Sequence, residues 1–256
     1  MSVLNQCPFT SSCRRVSPPN GLGTVNDTGI PLSLLYGDGT YGVKGTIAVA
    51  PFKFGSYEIE RQAFLDVKEN SLGGSLSDLK IDGLLGLSFD VDRASPINQA
   101  IKSKYGPSAD WGKSVLKSIF DQSPSKPNFI AFDLARTDDL EDTQGGSFGI
   151  GEYDPKWAAI ANSPKLPQFP EGGSRWTTLL EGISVDGTSI PVVSTIKGVP
   201  SGKAITLLDT GDPSSVFPVA IFDAIYSHIP GAVKYAAESV WILPCNTTAS
   251  LALSFG

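Results

Sequence analysis

Branched and aromatic side chains dominate residues 30–67, where the stretches "IPLSLLY" and "GTIAVAPFKFG" lie on either side of the glycine-dense "GDGTYGVKG". Apolar runs of this composition, separated by glycines, are typical of two strands joined by a short connection. The pattern therefore predicts a long β-hairpin with a flexible tip.

Helical spacing of apolar residues appears later, in "PINQAIKSKY" (96–105), "KSVLKSIFDQ" (113–122) and "SSVFPVAIFDAIYSHIPG" (214–231). Pro96 suits the first turn of its helix. The remaining apolar runs are short and predict strands: "KIDGLLGLSF", "NFIAFDLA", "GGSFGIGEYD", "RWTTLLEGISVDGTSIPV" with a turn at Asp186-Gly187, the buried strand "AITLLDTG", "SVWILPCN" and "ASLALSFG". A Pro/Gly/Ser-rich connection at 162–175 is the predicted domain boundary, which gives domains 1–165 and 166–256.

Composition narrows the function classes. The 256 residues are 41% apolar and include 27 Gly and 19 Pro, so a core with many turns is expected. The net charge of −6 argues against nucleic acid or an anionic membrane as a partner, because both need clustered positive charge. His228 is the single histidine and excludes multi-histidine metal sites. We expect it at a helix end on the surface, and we expect no metal or cofactor.

The cysteines and sequons indicate a secretory protein. Cys7 and Cys13 enclose a short polar loop that could close as a small disulfide, and Cys245 is left over. Sequons at Asn26 and Asn246 fit a secreted glycoprotein. The sequence has neither an apolar run of membrane-spanning length nor a recognisable signal peptide, so a missing N-terminal segment is expected.

Two motifs have simpler explanations than catalysis. The glycines from Gly37 to Gly42 have the spacing of a dinucleotide fingerprint, but a β-branched stretch follows where a phosphate-binding helix is needed. The triplet Asp27-Thr28-Gly29 is preceded by a sequon asparagine and not by an apolar strand. It is interpreted as an Asx turn before a strand.

Four stretches occur in one order along the chain: "LLYGDGTYGVKG", "IDGLLGLSF", "GGSFGIGEYDP" with "RWTTLLEGISVDG", and "ITLLDTGDPSSVFP". Together they resemble the pepsin-like aspartic endopeptidases over nearly the whole chain. The resemblance implies a mostly β, bilobal fold with a cleft between the lobes. Residues 1–165 would be a partial N-lobe with the flap hairpin and inter-lobe strands, and 166–256 a partial C-lobe.

In that family each lobe supplies one Asp-Thr-Gly turn, and the two aspartates share a proton and a water. The resemblance implies that Asp209 is the C-lobe catalytic aspartate, with Thr210 and Gly211 completing its turn. It further implies that Tyr36 is the flap tyrosine and that "IDGLLGL" is a core segment beneath the site. The remaining implied positions are Gly37, Asp38 and Gly39 at the substrate-binding tip of the flap, and a small N-lobe disulfide between Cys7 and Cys13.

Departures from the family pattern affect the activity expected. The N-lobe Asp-Thr-Gly should precede the Cys7–Cys13 loop, and no such triplet does. Asp27 lies only nine positions before Tyr36, which is too close to be that aspartate. Asp212 and Pro213 stand where the family has Ser or Thr, and a carboxylate there would repel that of Asp209. The N-lobe catalytic turn is therefore expected to be absent, and the chain, which also stops soon after Cys245, is expected to be clipped at both ends.

Three functions follow from this sequence. The first is a secreted or vacuolar aspartic endopeptidase that acts on peptides or proteins and is expected to be a monomer. This chain alone is expected to be inactive. The second is a non-catalytic peptide-binding protein of the same fold. The third is a homodimer in which Asp209 pairs with its symmetry mate to form the dyad. The chain carries most of an N-lobe, which would obstruct this contact.

Overall fold

The structure is a computed structural model that describes residues 2–4, 25–37, 39–71, 83–89, 95–134, 146–212, 215–235 and 240–255. The chain divides into two compact units, unit 1 (Met1–Ser163) and unit 2 (Pro164–Gly256). The division falls inside the Pro/Gly/Ser-rich connection at 162–175.

A long antiparallel ribbon forms most of unit 1. Its five-stranded sheet has the order β2-β3-β4-β1-β5, in which β1 runs parallel to β4 and the other neighbours are antiparallel. The strands are β1 (Ser2–Leu4), β2 (Asn26–Tyr36), β3 (Tyr41–Phe54), β4 (Tyr57–Asn70) and β5 (Gly83–Leu85). The predicted hairpin is therefore β2–β3, and a strand follows its tip where a dinucleotide site would need a helix.

Glycine is required where β3 passes close to β4. The pairing of these strands shifts between Lys44 and Gly45, which is a β-bulge. A Cβ atom on Gly45 would lie 2.0 Å from the carbonyl oxygen of Asp66. No side chain fits at that distance, so this glycine sets the register of the ribbon.

Two capped helices cover the ribbon. Helix α1 (Pro96–Tyr105) begins at Ser95, whose Oγ accepts a hydrogen bond from the Asn98 amide at 3.2 Å. Helix α2 (Val115–Gln122) begins at Ser114 in the same way. Both helices lie at the predicted places, although α2 starts two residues later than "KSVLKSIFDQ" suggests.

Two apolar clusters hold unit 1 together. The first joins the ribbon to α1 and contains fully buried Ile47, Leu65 and Ile101. The second joins α2 to the far end of the ribbon and to a small hairpin, β6 (Ile130–Asp133) and β7 (Ser147–Ile150). A 3₁₀ helix (Pro155–Asn162), which the sequence pattern did not predict, ends the unit.

The described residues of unit 2 form three small sheets and one α-helix. The sheets have the orders β10-β9-β14, β11-β8 and β12-β13. The elements are β8 (Thr177–Leu180), β9 (Gly182–Val185), β10 (Thr188–Ile190), β11 (Ala204–Leu207), α3 (Val219–Ser227), β12 (Val233–Tyr235), β13 (Val240–Ile242) and β14 (Leu251–Ser254). The turn at Asp186-Gly187 is present as predicted, whereas β12 was not foreseen.

The core of unit 2 forms between β9, β10 and α3 and includes Ile183, Val185, Ile190, Ile221 and Ile225. At the edge of the described sheet, β14 pairs with β9 but leaves its own leucines about half exposed. His228 caps the C-terminus of α3 and is exposed, as the sequence predicted.

The stretch "AITLLDTG" contains the predicted strand, β11, but the prediction that this strand is buried was wrong. Leu207 is 40% exposed and Leu208 is 55% exposed. Among the described residues β11 pairs only with β8, so its second edge is open and its face is only partly covered. An apolar run is buried only where a second layer of structure covers it.

Candidate active site

Strand β11 delivers Asp209 to an exposed turn. Its last residue, Leu207, pairs with Thr177 of β8, and the amide of Leu208 donates to the carbonyl oxygen of Trp176 at 2.8 Å. The strand therefore stays attached to β8 up to the residue before Asp209. Sequence reasoning singled out the stretch "RWTTLLEG" but not Trp176, the residue that anchors this end of the strand.

The carboxylate of Asp209 closes an Asx turn. Its Oδ1 accepts a hydrogen bond from the amide of Gly211 at 2.9 Å. A Cβ on Gly211 would come within 3.2 Å of that same oxygen, so glycine allows the close approach. Within the described residues the Asp209 carboxylate makes no other hydrogen bond, and the residue is exposed.

The neighbouring predicted positions are also exposed. Thr210, Gly211 and Asp212 lie on the surface of unit 2 directly after β11. Pro213 lies outside the described residues. The expectation that a carboxylate at 212 disturbs the one at 209 stays a prediction.

The second Asp-Thr-Gly triplet makes the same local turn in a different setting. Asp27 Oδ1 accepts from the Gly29 amide at 2.8 Å, while its Oδ2 accepts from the Thr46 hydroxyl at 3.1 Å. The turn lies inside β2, as a bulge between Asp27 and Ile30, and not before the strand as predicted. Both oxygens of this carboxylate are engaged within the hairpin of unit 1.

The hairpin tip contains the predicted flap residues. Tyr36 ends β2 and pairs with Tyr41, and the Gly39 amide donates to the Tyr36 carbonyl oxygen at 3.0 Å. Gly37 and Gly39 have φ values of 59° and 88°, a region that favours glycine. Asp38 lies outside the described residues.

The phenol of Tyr36 packs onto the apolar cluster between the ribbon and α1. Its Oη is buried and has no hydrogen-bond partner in the described part of the chain. Burial raises the pKa of this phenol above its ordinary value, because the charged form would lose its hydration.

The other predicted positions are distributed over both units. Leu84 of "IDGLLGL" packs on the first cluster of unit 1 and Leu87 on the second, while the first two residues of that stretch lie outside the described residues, as do Cys7 and Cys13. Cys245 is free and exposed. In the described ranges, no three His, Cys, Asp or Glu side chains come together in a way that could hold a metal ion.

Three features together indicate the pepsin-like class of acid protease folds. They are an Asp-Thr-Gly turn at a strand end, a hairpin with the sequence Tyr-Gly-Asp-Gly, and a predominantly β architecture. The family model of the eukaryotic aspartyl proteases matches residues 5–256, and the chain belongs to this family. The resemblance proposed from the sequence is thereby confirmed.

The chain is similar to two curated fungal proteins. Podosporapepsin of Podospora anserina is 28% identical over 218 residues, which are 84% of this chain and 43% of that protein. The aspartic-type endopeptidase ctsD of Aspergillus fumigatus is 22% identical over 226 residues, which are 88% of this chain and 41% of that protein. The chain thus spans less than half the length of each of these two relatives.

A solved structure shows the same fold. The aspartic proteinase from Irpex lacteus superposes with a TM-score of 0.60 at 18% identity, over 91% of this chain and 62% of that chain. This likeness confirms the predicted pepsin-like, mostly β fold class. None of the helices in the described ranges has the length and apolar character needed to cross a membrane.

Proposed function

We propose that Asp209 is one member of an aspartic-endopeptidase dyad and that this chain by itself hydrolyses peptide bonds little or not at all. The observation that carries the proposal is the hydrogen bonding of Asp209. In the described residues its carboxylate is bound only by the amide of Gly211, two positions away. No second acid of that part of the chain is hydrogen-bonded to it.

The reaction needs two carboxyl groups in different protonation states. The ionised member takes a proton from a water, which attacks the peptide carbonyl, while the protonated member donates to the developing oxyanion. Asp209 can fill one of these roles at a time. Asp27 is poorly suited to the other, because the Gly29 amide and the Thr46 hydroxyl already occupy its oxygens.

Digestion of a denatured protein tests this proposal. The chain and its Asp209→Asn and Asp27→Asn variants are incubated with the substrate at about pH 4. At this pH one of the two acids in a dyad of this class is ionised and the other is protonated. We expect no cleavage above the background without enzyme. Robust cleavage that is lost in Asp209→Asn but kept in Asp27→Asn would show that one carboxylate suffices, and cleavage lost in both variants would identify Asp27 as the second acid.

A second candidate function is peptide binding without hydrolysis. The β2–β3 hairpin is complete up to its tip, and it presents Leu35 and Tyr41 at 72% and 51% exposure. Exposed apolar side chains beside a strand edge suit an extended apolar peptide. A labelled peptide of this kind should bind the chain by fluorescence anisotropy and bind Leu35→Ser more weakly, whereas equal binding would exclude the hairpin as the contact.

The cellular setting is part of the proposal. We expect a monomeric secreted or vacuolar glycoprotein with a Cys7–Cys13 disulfide and N-glycans at Asn26 and Asn246. The sequons and the cysteine pair support this expectation. Peptide mass spectrometry of the protein from a eukaryotic secretory host tests the modifications, and sedimentation tests the monomer.

A further inference from the structure

The two sequons lie in opposite structural settings. We propose that Asn246 accepts an N-glycan on the folded chain, whereas Asn26 accepts one only before the β2–β3 hairpin has formed. This inference rests on the proposed glycosylation and is independent of the proteolytic proposal.

Asn26 belongs to a paired strand. It is the first residue of β2 and lies opposite Val49 of β3. The hydroxyl of Thr28, which the sequon requires, donates to the carbonyl oxygen of Ile47 at 2.6 Å and accepts from the Ile30 amide at 3.2 Å. The side chain of Asn26 is exposed, but the hydroxyl two positions later is engaged in the sheet.

Further bonds hold the same segment. The carbonyl oxygen of Thr28 accepts from Lys104 Nζ at 2.7 Å, which ties the sequon to the last turn of α1. The middle residue, Asp27, binds the Thr46 hydroxyl of β3. Release of this sequon therefore requires the end of the hairpin to separate from both β3 and α1.

Asn246 lies in a surface turn between β13 and β14. The turn is closed by one bond from the Thr247 amide to the carbonyl oxygen of Pro244 at 3.0 Å. Asn246 and Thr248 are exposed, and in the described part of the chain neither side chain makes a hydrogen bond. Within the described ranges, the hydrogen bond from this sequon to another segment comes from its middle residue, whose Thr247 hydroxyl donates to the carbonyl oxygen of Pro230 at 3.2 Å.

The chemistry of N-glycan transfer requires a sequon that can leave its hydrogen bonds. The donor is a lipid-pyrophosphate-linked oligosaccharide. The Asn amide nitrogen forms a bond to the sugar C1, the bond from C1 to the phosphate oxygen breaks, the lipid pyrophosphate leaves with the electron pair, and the amide nitrogen gives up one proton. The asparagine and the hydroxyl two residues later must enter the transferase site together, in a locally extended segment.

Opening the hairpin end is a local unfolding step that must precede transfer to Asn26. Because it breaks several hydrogen bonds of ordinary strength, we expect transfer to Asn26 of the folded chain to be at least about tenfold slower than transfer to Asn246. No such step is needed at Asn246. The exposure of the two asparagines alone would predict equal rates.

The experiment uses the full, unglycosylated chain with a purified oligosaccharyltransferase and a lipid-linked donor. Two synthetic peptides, one spanning each sequon, are treated in parallel and give the intrinsic acceptor quality. Site occupancy is measured by mass spectrometry, and Asn26→Gln and Asn246→Gln variants verify the assignment. We expect both peptides to be modified. In the folded chain, the ratio of occupancy at Asn246 to occupancy at Asn26 should be at least about tenfold higher than the same ratio for the two peptides.

The possible failures are distinguishable. If the folded chain shows the same ratio of occupancies as the peptides, the inference is wrong while glycosylation stands. If neither peptide accepts a glycan, the sequons are not acceptors, and both the inference and the proposed glycosylation fail. Neither outcome bears on the proteolysis assay.

Discussion

The buried phenol of Tyr36 gives a sharp test of the packing at the hairpin tip. Its Oη lacks a partner in the described residues, so the folded state loses the hydrogen bond that water gives this group in the unfolded chain. A buried donor left unsatisfied costs about 1–3 kcal/mol. Tyr36→Phe removes the hydroxyl and little else, so we expect the free energy of unfolding to rise by about 1 kcal/mol.

Tyr57 provides a matched control in the same unit. Its hydroxyl donates to the carbonyl oxygen of Ile150 at 3.2 Å and accepts from Lys126 Nζ at 3.3 Å. The same chemical change, Tyr57→Phe, removes a satisfied group and should lower the free energy of unfolding by about 1 kcal/mol. The two variants should therefore move stability in opposite directions.

Urea unfolding measures the effect. With the slope typical of small proteins, a change of about 1 kcal/mol shifts the midpoint by about 0.5 M. Hydrogen exchange of peptides from β3 and β4 localises the change to unit 1. If Tyr36→Phe is destabilised as much as Tyr57→Phe, the hydroxyl of Tyr36 has a partner and our description of the tip is wrong.

The pH dependence gives an independent check of sign. Burial raises the pKa of Tyr36 above its ordinary value of 10.0. Above pH 10.0 the folded state therefore holds a proton that the unfolded chain has released, and stability falls as the pH rises further. Tyr36→Phe lacks this loss, so its advantage over the parent should grow above pH 10.0 and stay constant below it.

Three further changes have clear expected outcomes. Gly45→Ala places a Cβ 2.0 Å from the Asp66 carbonyl oxygen and should destabilise unit 1 by about 3 kcal/mol in urea unfolding, whereas Gly182→Ala, with 3.5 Å to its nearest neighbour, should change stability little. Ser95→Ala removes the N-cap of α1 and should cost about 1 kcal/mol, seen as faster hydrogen exchange in its first turn. Lys234 of β12 and the Trp241 indole of β13 donate hydrogen bonds to the Asp223 carboxylate and lower its pKa. These bonds stabilise the fold above pH 3.8, and the stabilisation is lost as the pH falls further. Asp223→Asn should therefore unfold at a lower temperature than the parent at neutral pH, and at the same temperature in strong acid.

The hairpin and the helices could be predicted because their signals are local. Alternating apolar residues on both sides of a glycine cluster leave few alternatives to β2–β3, and Ser95 followed by Pro96 marks the start of α1. The Asx turn of Asp27 was also expected. Its location inside β2 was not, because the bulge depends on pairing with β3, which no local pattern encodes.

The sequence predicted which residues belong to the candidate site but not how exposed or how hydrogen-bonded they are. The apolar run before Asp209 suggested a buried strand, yet exposure depends on which strands flank β11, and in the described part of the chain only β8 does. The burial of the Tyr36 hydroxyl without a hydrogen-bond partner among the described residues could not be foreseen either, because it depends on how the tip packs onto α1. The short β12 lacks any signal of its own, since its three residues are all exposed.

The outermost strand of the β10-β9-β14 sheet has a practical consequence. Leu251 and Leu253 face the same side as the buried Val185 and Ile183 opposite them, yet they remain 47% and 40% exposed, on a strand whose outer edge is open within the described ranges. A free, uncharged strand edge is a template for self-association. We therefore expect concentrated solutions of the chain to aggregate and scatter light. A hydrated sugar at Asn246, in the turn before β14, should act as a colloidal stabiliser that reduces this aggregation.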